Sequence, residues 1–155
     1  MTVYKSLLYL ILEAGLFALY VPLALLRSGA RIGTGIFSWL AIPLWFIGSL
    51  VVLSCFWHFT FKGRGTPMPT DPPKELVATG PYHYVRNPIY VGVISIFLGH
   101  FLWFGYWALL VYAVLAFIAV HLFIVFYEEP TLKKKFGPAY EDYLSRVPRW
   151  IPRWR

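Results

Sequence analysis

Residues 87–127 contain no Asp, Glu, Lys or Arg. As a single helix at ~1.5 Å per residue this stretch would extend about 60 Å, twice the ~30 Å hydrocarbon core of a bilayer. One span cannot hold it. A soluble fold cannot hide it either, because the chain has only 155 residues, with 59% hydrophobic and 14% charged side chains. Soluble domains carry about 25% charged residues. The same figures exclude disorder, which needs low hydrophobicity and high charge. The stretch therefore predicts two membrane-spanning helices, about 89–104 and 106–127, joined by a tight hairpin at Phe104-Gly105-Tyr106. The first of the pair is short, so it begins inside the preceding motif or sits in locally thinned bilayer.

Two more spans precede the hairpin. Residues 4–26 are apolar apart from Lys5 and Glu13, and lack the small-residue cleavage pattern of a removable signal, so they read as a span. Glu13 and Pro22 within it are tolerated where they face other helices. Arg27, Ser28, Gly29, Arg31, Gly33 and Gly35 make a turn. Residues 32–61 carry no charged side chain and supply a second span, about 36–61. Residues 62–88 hold four basic residues, six prolines and three glycines, the composition of a loop. Within it Gly63-Arg64-Gly65 reads as a turn and not as a cofactor loop. The expected fold is thus an all-α polytopic membrane protein with about four transmembrane helices in a single domain, 1–155. Twelve of the fourteen Lys and Arg residues fall on the side of the two termini and the 62–88 loop. Basic residues favour the cytoplasmic side, so both termini are expected there. The lone Cys55 excludes disulfides and a Cys-based metal site, and no metal is expected.

In the tail, Tyr140, Tyr143, Leu144 and Val147 recur at helical spacing and predict a short amphipathic helix. With Trp150, Trp154 and the arginines around them, this interfacial helix is expected on the membrane surface, as an anchor or as a lid over a site. Tryptophans following a span suit anionic headgroups, so the basic tail does not imply nucleic acid.

Most of the chemistry-bearing residues sit at the cytoplasmic end of the hairpin. One cluster is Thr79-Gly80-Pro81-Tyr82-His83-Tyr84-Val85-Arg86-Asn87-Pro88-Ile89-Tyr90-Val91-Gly92, and the other is Tyr127-Glu128-Glu129-Pro130. A hairpin leaving near Pro88 and returning near Tyr127 sets Arg86, Asn87 and several tyrosines opposite two adjacent carboxylates. A plain alternative pairs the two acids with Lys133–Lys135. Adjacent acids at a helix C-terminus oppose its dipole, however, so their placement calls for compensation such as a cationic ligand.

These motifs carry a resemblance. Gly-Pro-Tyr-x-Tyr-x-Arg-Asn-Pro-x-Tyr-x-Gly, followed one hairpin later by Glu-Glu-Pro, resembles the small integral-membrane methyltransferases, among them isoprenylcysteine carboxyl methyltransferase and the phospholipid N-methyltransferases. The tail at Phe136, Gly137, Tyr140, Tyr143, Arg146, Val147 and Pro148 is similar to the carboxyl methyltransferase group. The resemblance implies S-adenosylmethionine as cofactor, bound at Leu76, Val77, Tyr82, Arg86, Asn87, Pro88, Tyr90, Gly92 and Glu128, with Glu129 in support. A carboxylate suits the cofactor's ammonium or ribose hydroxyls, a cation its carboxylate, and aromatic faces its adenine or sulfonium.

The chain departs from that pattern twice. Asn87 stands where the carboxyl methyltransferases usually have His, as it does in the phospholipid enzymes. About Ile124 stands where the eukaryotic carboxyl methyltransferases carry an Arg for the substrate carboxylate. His121, seven residues before Glu128, shares its helix face and either contacts substrate or bonds to a neighbouring helix. His58 and His100 are expected in core or interface roles, and His83 lies near the cofactor segment. The expected activity is S-adenosylmethionine-dependent methyl transfer to a lipophilic or small amphipathic acceptor from the bilayer, with membrane lipids as partners. Carboxylate, amine and thiol acceptors all remain open. A non-enzymatic membrane scaffold is the alternative. No catalytic base is assigned, since only a protonated acceptor needs one.

Overall fold

The computed structural model describes residues 2–26, 29–61 and 75–152. Arg27 and Ser28 of the first turn, Gly63-Arg64-Gly65, the basic residues Lys62, Arg64 and Lys74, and Trp154 lie outside them. Among the described residues the fold is all-helical. The first helix is broken: α1 (Thr2–Glu13) passes through a π-helical stretch, Ala14–Tyr20, into α2 (Val21–Leu25). A 3-10 turn, Gly35–Leu40, leads into α3 (Ala41–Phe61). Then come α4 (Pro88–Phe104), α5 (Trp107–Phe123), a second π stretch (Ile124–Glu128), α6 (Glu129–Phe136) and α7 (Pro138–Arg146).

Two continuous helical runs, Gly35–Phe61 and Trp107–Phe136, are long and apolar enough to cross a membrane, and Leu10–Leu25 and Pro88–Phe104 are shorter apolar helices. Their large side chains point outward. Leu50, Leu53 and Trp57 on α3, and Val111, Val114, Leu115, Ile118 and Leu122 on α5, are all exposed. Water would penalise that surface by about 25 cal/mol per Å², whereas lipid does not.

With no hydrophobic drive between helices in lipid, packing rests on close approach at small residues. The α3–α4 contact shows this directly. A Cβ on Gly48 would come within 2.7 Å of the Gly92 carbonyl oxygen, and one on Gly92 within 2.8 Å of the Gly48 carbonyl oxygen. Farther along the pair, Trp45 lies over Gly99 and packs edge-on against His100. At the far end, α4 stops at Gly105, whose φ of 71° is reached at little cost only by glycine. The Gly105 carbonyl accepts from Ile32 N at 2.6 Å, and Trp107 N donates to Ala30 at 3.3 Å. The hairpin tip is thereby tied to the turn after α2.

Two expectations are corrected. The helix does not end near residue 127. It continues to Phe136 because the π stretch absorbs an extra residue without breaking the helical path. Glu128 and Glu129 are therefore not at a helix C-terminus, and the dipole argument for them falls. The tail helix does not spend its apolar face on the membrane surface. At Gly137, with φ 54°, the chain turns back, and Tyr140, Tyr143 and Val147 are buried against Leu76, Ala78, Leu132 and Phe136.

The glycine contact sets a prediction. Gly48→Val forces side-chain atoms onto a backbone carbonyl and should destabilise the protein by about 1–3 kcal/mol, read as a lower unfolding temperature in detergent. Gly33→Ala, where nothing lies within 4 Å of the added Cβ, should leave that temperature unchanged.

Candidate functional site

The site forms where the start of α4 meets the π stretch after α5. Pro88 occupies the first turn of α4, where its missing N–H costs nothing. Ahead of it, the 3-10 turn Gly80–His83 swings Tyr82 inward, so that its side chain is buried with Cys55 and Val77. Across from these, the π stretch ends at Glu128, and Glu129 opens α6.

Glu129 is the electrostatic centre. Arg149 clamps it with two bonds, Nε to Oε1 at 2.9 Å and Nη2 to Oε2 at 2.8 Å. Arg86 Nη1 adds a third contact to Oε1 at 3.1 Å. Bidentate guanidinium–carboxylate geometry is the strongest form of this pairing, and these side chains are only 14–30% exposed. The backbone follows the same path. Arg86 N donates to the Pro148 carbonyl at 2.8 Å, and Asn87 Nδ2 donates to the Arg149 carbonyl at 3.3 Å. Tyr143 Oη donates to the Tyr82 carbonyl at 2.7 Å. Residues 147–150 thus strap the tail across the Arg86–Asn87 turn.

Glu128 is held far less firmly. Its Oε2 accepts one long bond, 3.4 Å, from Tyr90 Oη. Two further polar atoms are buried: Arg86 Nε has no hydrogen-bond partner among the described residues, and Tyr82 Oη has only the weakly bonding Cys55 thiol beside it. Burial raises the Tyr82 phenol well above its ordinary range, and the Cys55 thiol, Glu128 and Tyr90 push the same way. Burial raises the phenols of Tyr140 and Tyr143 as well, with Glu129 adding to the first. The hydrogen bonds to Glu129 raise Arg149. Every phenol here stays neutral at physiological pH, and the guanidinium stays charged.

Of the residues singled out in the sequence, Tyr82, Arg86, Asn87, Pro88, Tyr90, Glu128 and Glu129 come together. Leu76 packs under α7 and Val77 against Cys55, both lining the segment that enters the site. Gly92 lies in the α3–α4 contact, where its missing side chain serves packing. Ile124 is fully buried. His121 accepts from Trp150 Nε1 at its Nδ1, 3.2 Å away, and so joins α5 to the tail. The π stretch between His121 and Glu128 also rotates the helix between them, which undoes their expected common face. His58 Nδ1 lies 2.7 Å from the Ser54 carbonyl, and its ring fills the space beside Gly80. His100 Nδ1 lies 2.6 Å from the Ile96 carbonyl. His83 packs edge-on against Tyr84, which is exposed. The lysine alternative for the acid pair is not seen for Glu129, and Lys133 pairs instead with Glu141 at 2.8 Å. Arg149 was not among the expected site residues. It follows the Arg-Val-Pro motif directly, but no spacing rule links it to an acid twenty residues earlier in an adjoining helix.

Removing one partner of a desolvated charge cluster strands the others. Glu129→Gln leaves Arg86 and Arg149 facing each other and should cost about 3 kcal/mol, measured by thermal unfolding in detergent. Glu141→Gln breaks a pair that is more than half exposed on both sides, and should change stability by less than about 0.5 kcal/mol.

The family model described as phospholipid methyltransferase matches residues 36–139, two thirds of the chain. The match runs from the 3-10 turn before α3 into α7, and takes in every expected cofactor residue from Leu76 to Glu129. No significant match is found among the curated proteins. Coverage on that scale, over an all-helical scaffold with outward apolar faces, places this chain in the phospholipid methyltransferase family of membrane methyltransferases.

Proposed function

We propose that the protein transfers a methyl group from S-adenosylmethionine to a lipophilic or amphipathic acceptor that arrives from the bilayer. One observation carries this reading. Within the family-matched segment, Arg86 Nε is buried without a hydrogen-bond partner among the described residues, Tyr82 Oη is buried with only the weakly bonding Cys55 thiol beside it, and the Glu128 carboxylate accepts a single long bond. A folded protein rarely leaves three such groups under-satisfied in one place unless a ligand completes them. The donor set also fits the cofactor. Glu128 suits an ammonium or ribose hydroxyls, Arg86 Nε suits a carboxylate, and the Tyr82 and Tyr90 rings suit a sulfonium or an adenine face. Glu129 supports the site by fixing Arg86, while Asn87 and Pro88 shape the turn and Leu76, Val77 and Gly92 pack it in place.

The cofactor supplies an electrophilic methyl group on a sulfonium. The chain's own residues orient it, exclude water and bring the acceptor in line, and together these can supply much of the rate.

The topology follows the same reading. Four spans, formed by α1–α2, α3, α4 and α5, give a single domain whose termini and cofactor site share the cytoplasmic side. The excess of basic residues there supports that orientation. The tail works as a strap over the site, and no nucleic-acid partner is involved. An uncharged or amine acceptor is favoured over a carboxylate. Ile124 supplies no cation at the position where one would be needed, and Arg86 and Arg149 already hold Glu129.

Calorimetry in detergent tests the cofactor. Wild-type protein should bind S-adenosylmethionine, and Glu128→Ala and Arg86→Ala should each weaken binding at least tenfold while thermal unfolding stays cooperative. Arg149 still neutralises Glu129 in the second variant, so its fold is retained. Normal binding by both variants overturns the reading. Incubation with radiolabelled methyl donor and total membrane lipid should then yield a labelled lipid.

A further inference from the structure

Two guanidiniums share the Glu129 carboxylate, and they hold it unequally. Arg149 takes both oxygens, Nε to Oε1 at 2.9 Å and Nη2 to Oε2 at 2.8 Å. Arg86 keeps one contact, Nη1 to Oε1 at 3.1 Å, on an oxygen that Arg149 already engages. Guanidinium and carboxylate frequently pair through two parallel bonds. Arg86 does not, and its Nε is buried with no hydrogen-bond partner among the described residues. A buried donor on a charged group is costly to leave unbonded. Here the second arginine imposes that cost, because Arg149 fills the carboxylate on which Arg86 could otherwise close.

Arg149 is well placed to win the competition. The chain is tied down on both sides of it. The Pro148 carbonyl accepts from Arg86 N at 2.8 Å, and the carbonyl of Arg149 itself accepts from Asn87 Nδ2 at 3.3 Å. On the other side Trp150 Nε1 donates to His121 Nδ1 at 3.2 Å, and the Trp150 ring packs on Phe117 with centroids 5.0 Å apart. The fork of Arg149 is thus presented from a backbone fixed to the turn that carries Arg86 and to α5. Support of this kind is what holds a binding group in one geometry. It comes from the tail, beyond the family-matched residues 36–139.

We propose that Arg149 is a positioning residue: by taking both oxygens of Glu129 it holds Arg86 to a single contact and keeps the Arg86 Nε–H for a carboxylate on the bound ligand. This deepens the methyltransferase reading and rests on it for the ligand, the carboxylate being that of S-adenosylmethionine. Lysine at this position keeps the charge but offers a point donor in place of the planar fork. Arg149→Lys therefore releases one Glu129 oxygen, and Arg86 closes over the carboxylate and engages its Nε there. Glu129 stays paired in the variant, so the fold is expected to persist.

The test titrates the purified full chain in nonionic detergent with S-adenosylmethionine and with its decarboxylated form, which keeps the sulfonium and the amine. Wild type should bind S-adenosylmethionine about tenfold more tightly, the effect of one hydrogen bond between charged groups. Arg149→Lys should abolish that preference by weakening S-adenosylmethionine alone, with thermal unfolding still cooperative. A purely structural arginine predicts equal losses for both ligands, and a purely electrostatic one predicts wild-type affinities in Arg149→Lys. Either result overturns the proposal, as does a wild type that binds both ligands equally. Isotopic labelling of the arginine Nε supplies a ligand-free readout by nuclear magnetic resonance. The Arg86 Nε–H signal, identified by its loss in Arg86→Lys, should move downfield in Arg149→Lys as it bonds to Glu129. An unmoved signal overturns the proposal whatever the ligands do. If wild type binds neither ligand and the signal moves, the positioning role stands and the methyltransferase reading falls.

Discussion

The arrangement of the candidate site depends on the Glu129 carboxylate and the two guanidiniums that hold it. Arg86 belongs to the turn before α4, Arg149 to the tail, and Glu129 to the helix that returns from the hairpin. Three segments that share no local structure meet on one desolvated charge. A partly buried cluster of this kind adds little net stability over an apolar replacement, but it specifies one geometry, because any slip strands a charge. The backbone bonds from Arg86 and Asn87 to residues 148 and 149 follow from that registration.

Fixing Glu129 so completely leaves its neighbour free. Glu128 keeps one long bond, Tyr82 Oη only the weak contact to the Cys55 thiol, and Arg86 Nε none among the described residues. One acid is fully paired and the adjacent acid is held by a single long bond. Adjacent helical residues differ by about 100° in direction, so Glu129 faces the two arginines while Glu128 faces Tyr90.

Much of this was legible in residue order alone. An uncharged stretch twice the bilayer thickness forces a hairpin, and Gly105 is the residue that turns it. Arg86, Asn87, Tyr82, Tyr90 and the acid pair could be recognised as one site because the hairpin returns its ends to the same depth. The amphipathic spacing of Tyr140, Tyr143 and Val147 was equally plain, but spacing names a face and not what covers it. That face proved to lie on Leu76 and Leu132, once Gly137 had turned the chain. Arg149 was hidden for the same reason: charge pairs across segments leave no periodic trace. The π stretches were invisible too, since a single-residue shift in helical phase has no compositional signature.

The sequence by itself determined the apolar helices and the polar groups that make up the candidate site, because hydropathy, turn residues and side-chain chemistry act locally. Tertiary structure decided which acid is neutralised, which is left open and what the tail covers. Those outcomes depend on distances between segments, and electrostatic energy in a low-dielectric site changes steeply over a few ångströms. The uncharged hairpin brings the partners to one depth, and only the folded contact assigns Glu129 to the arginines and Glu128 to Tyr90.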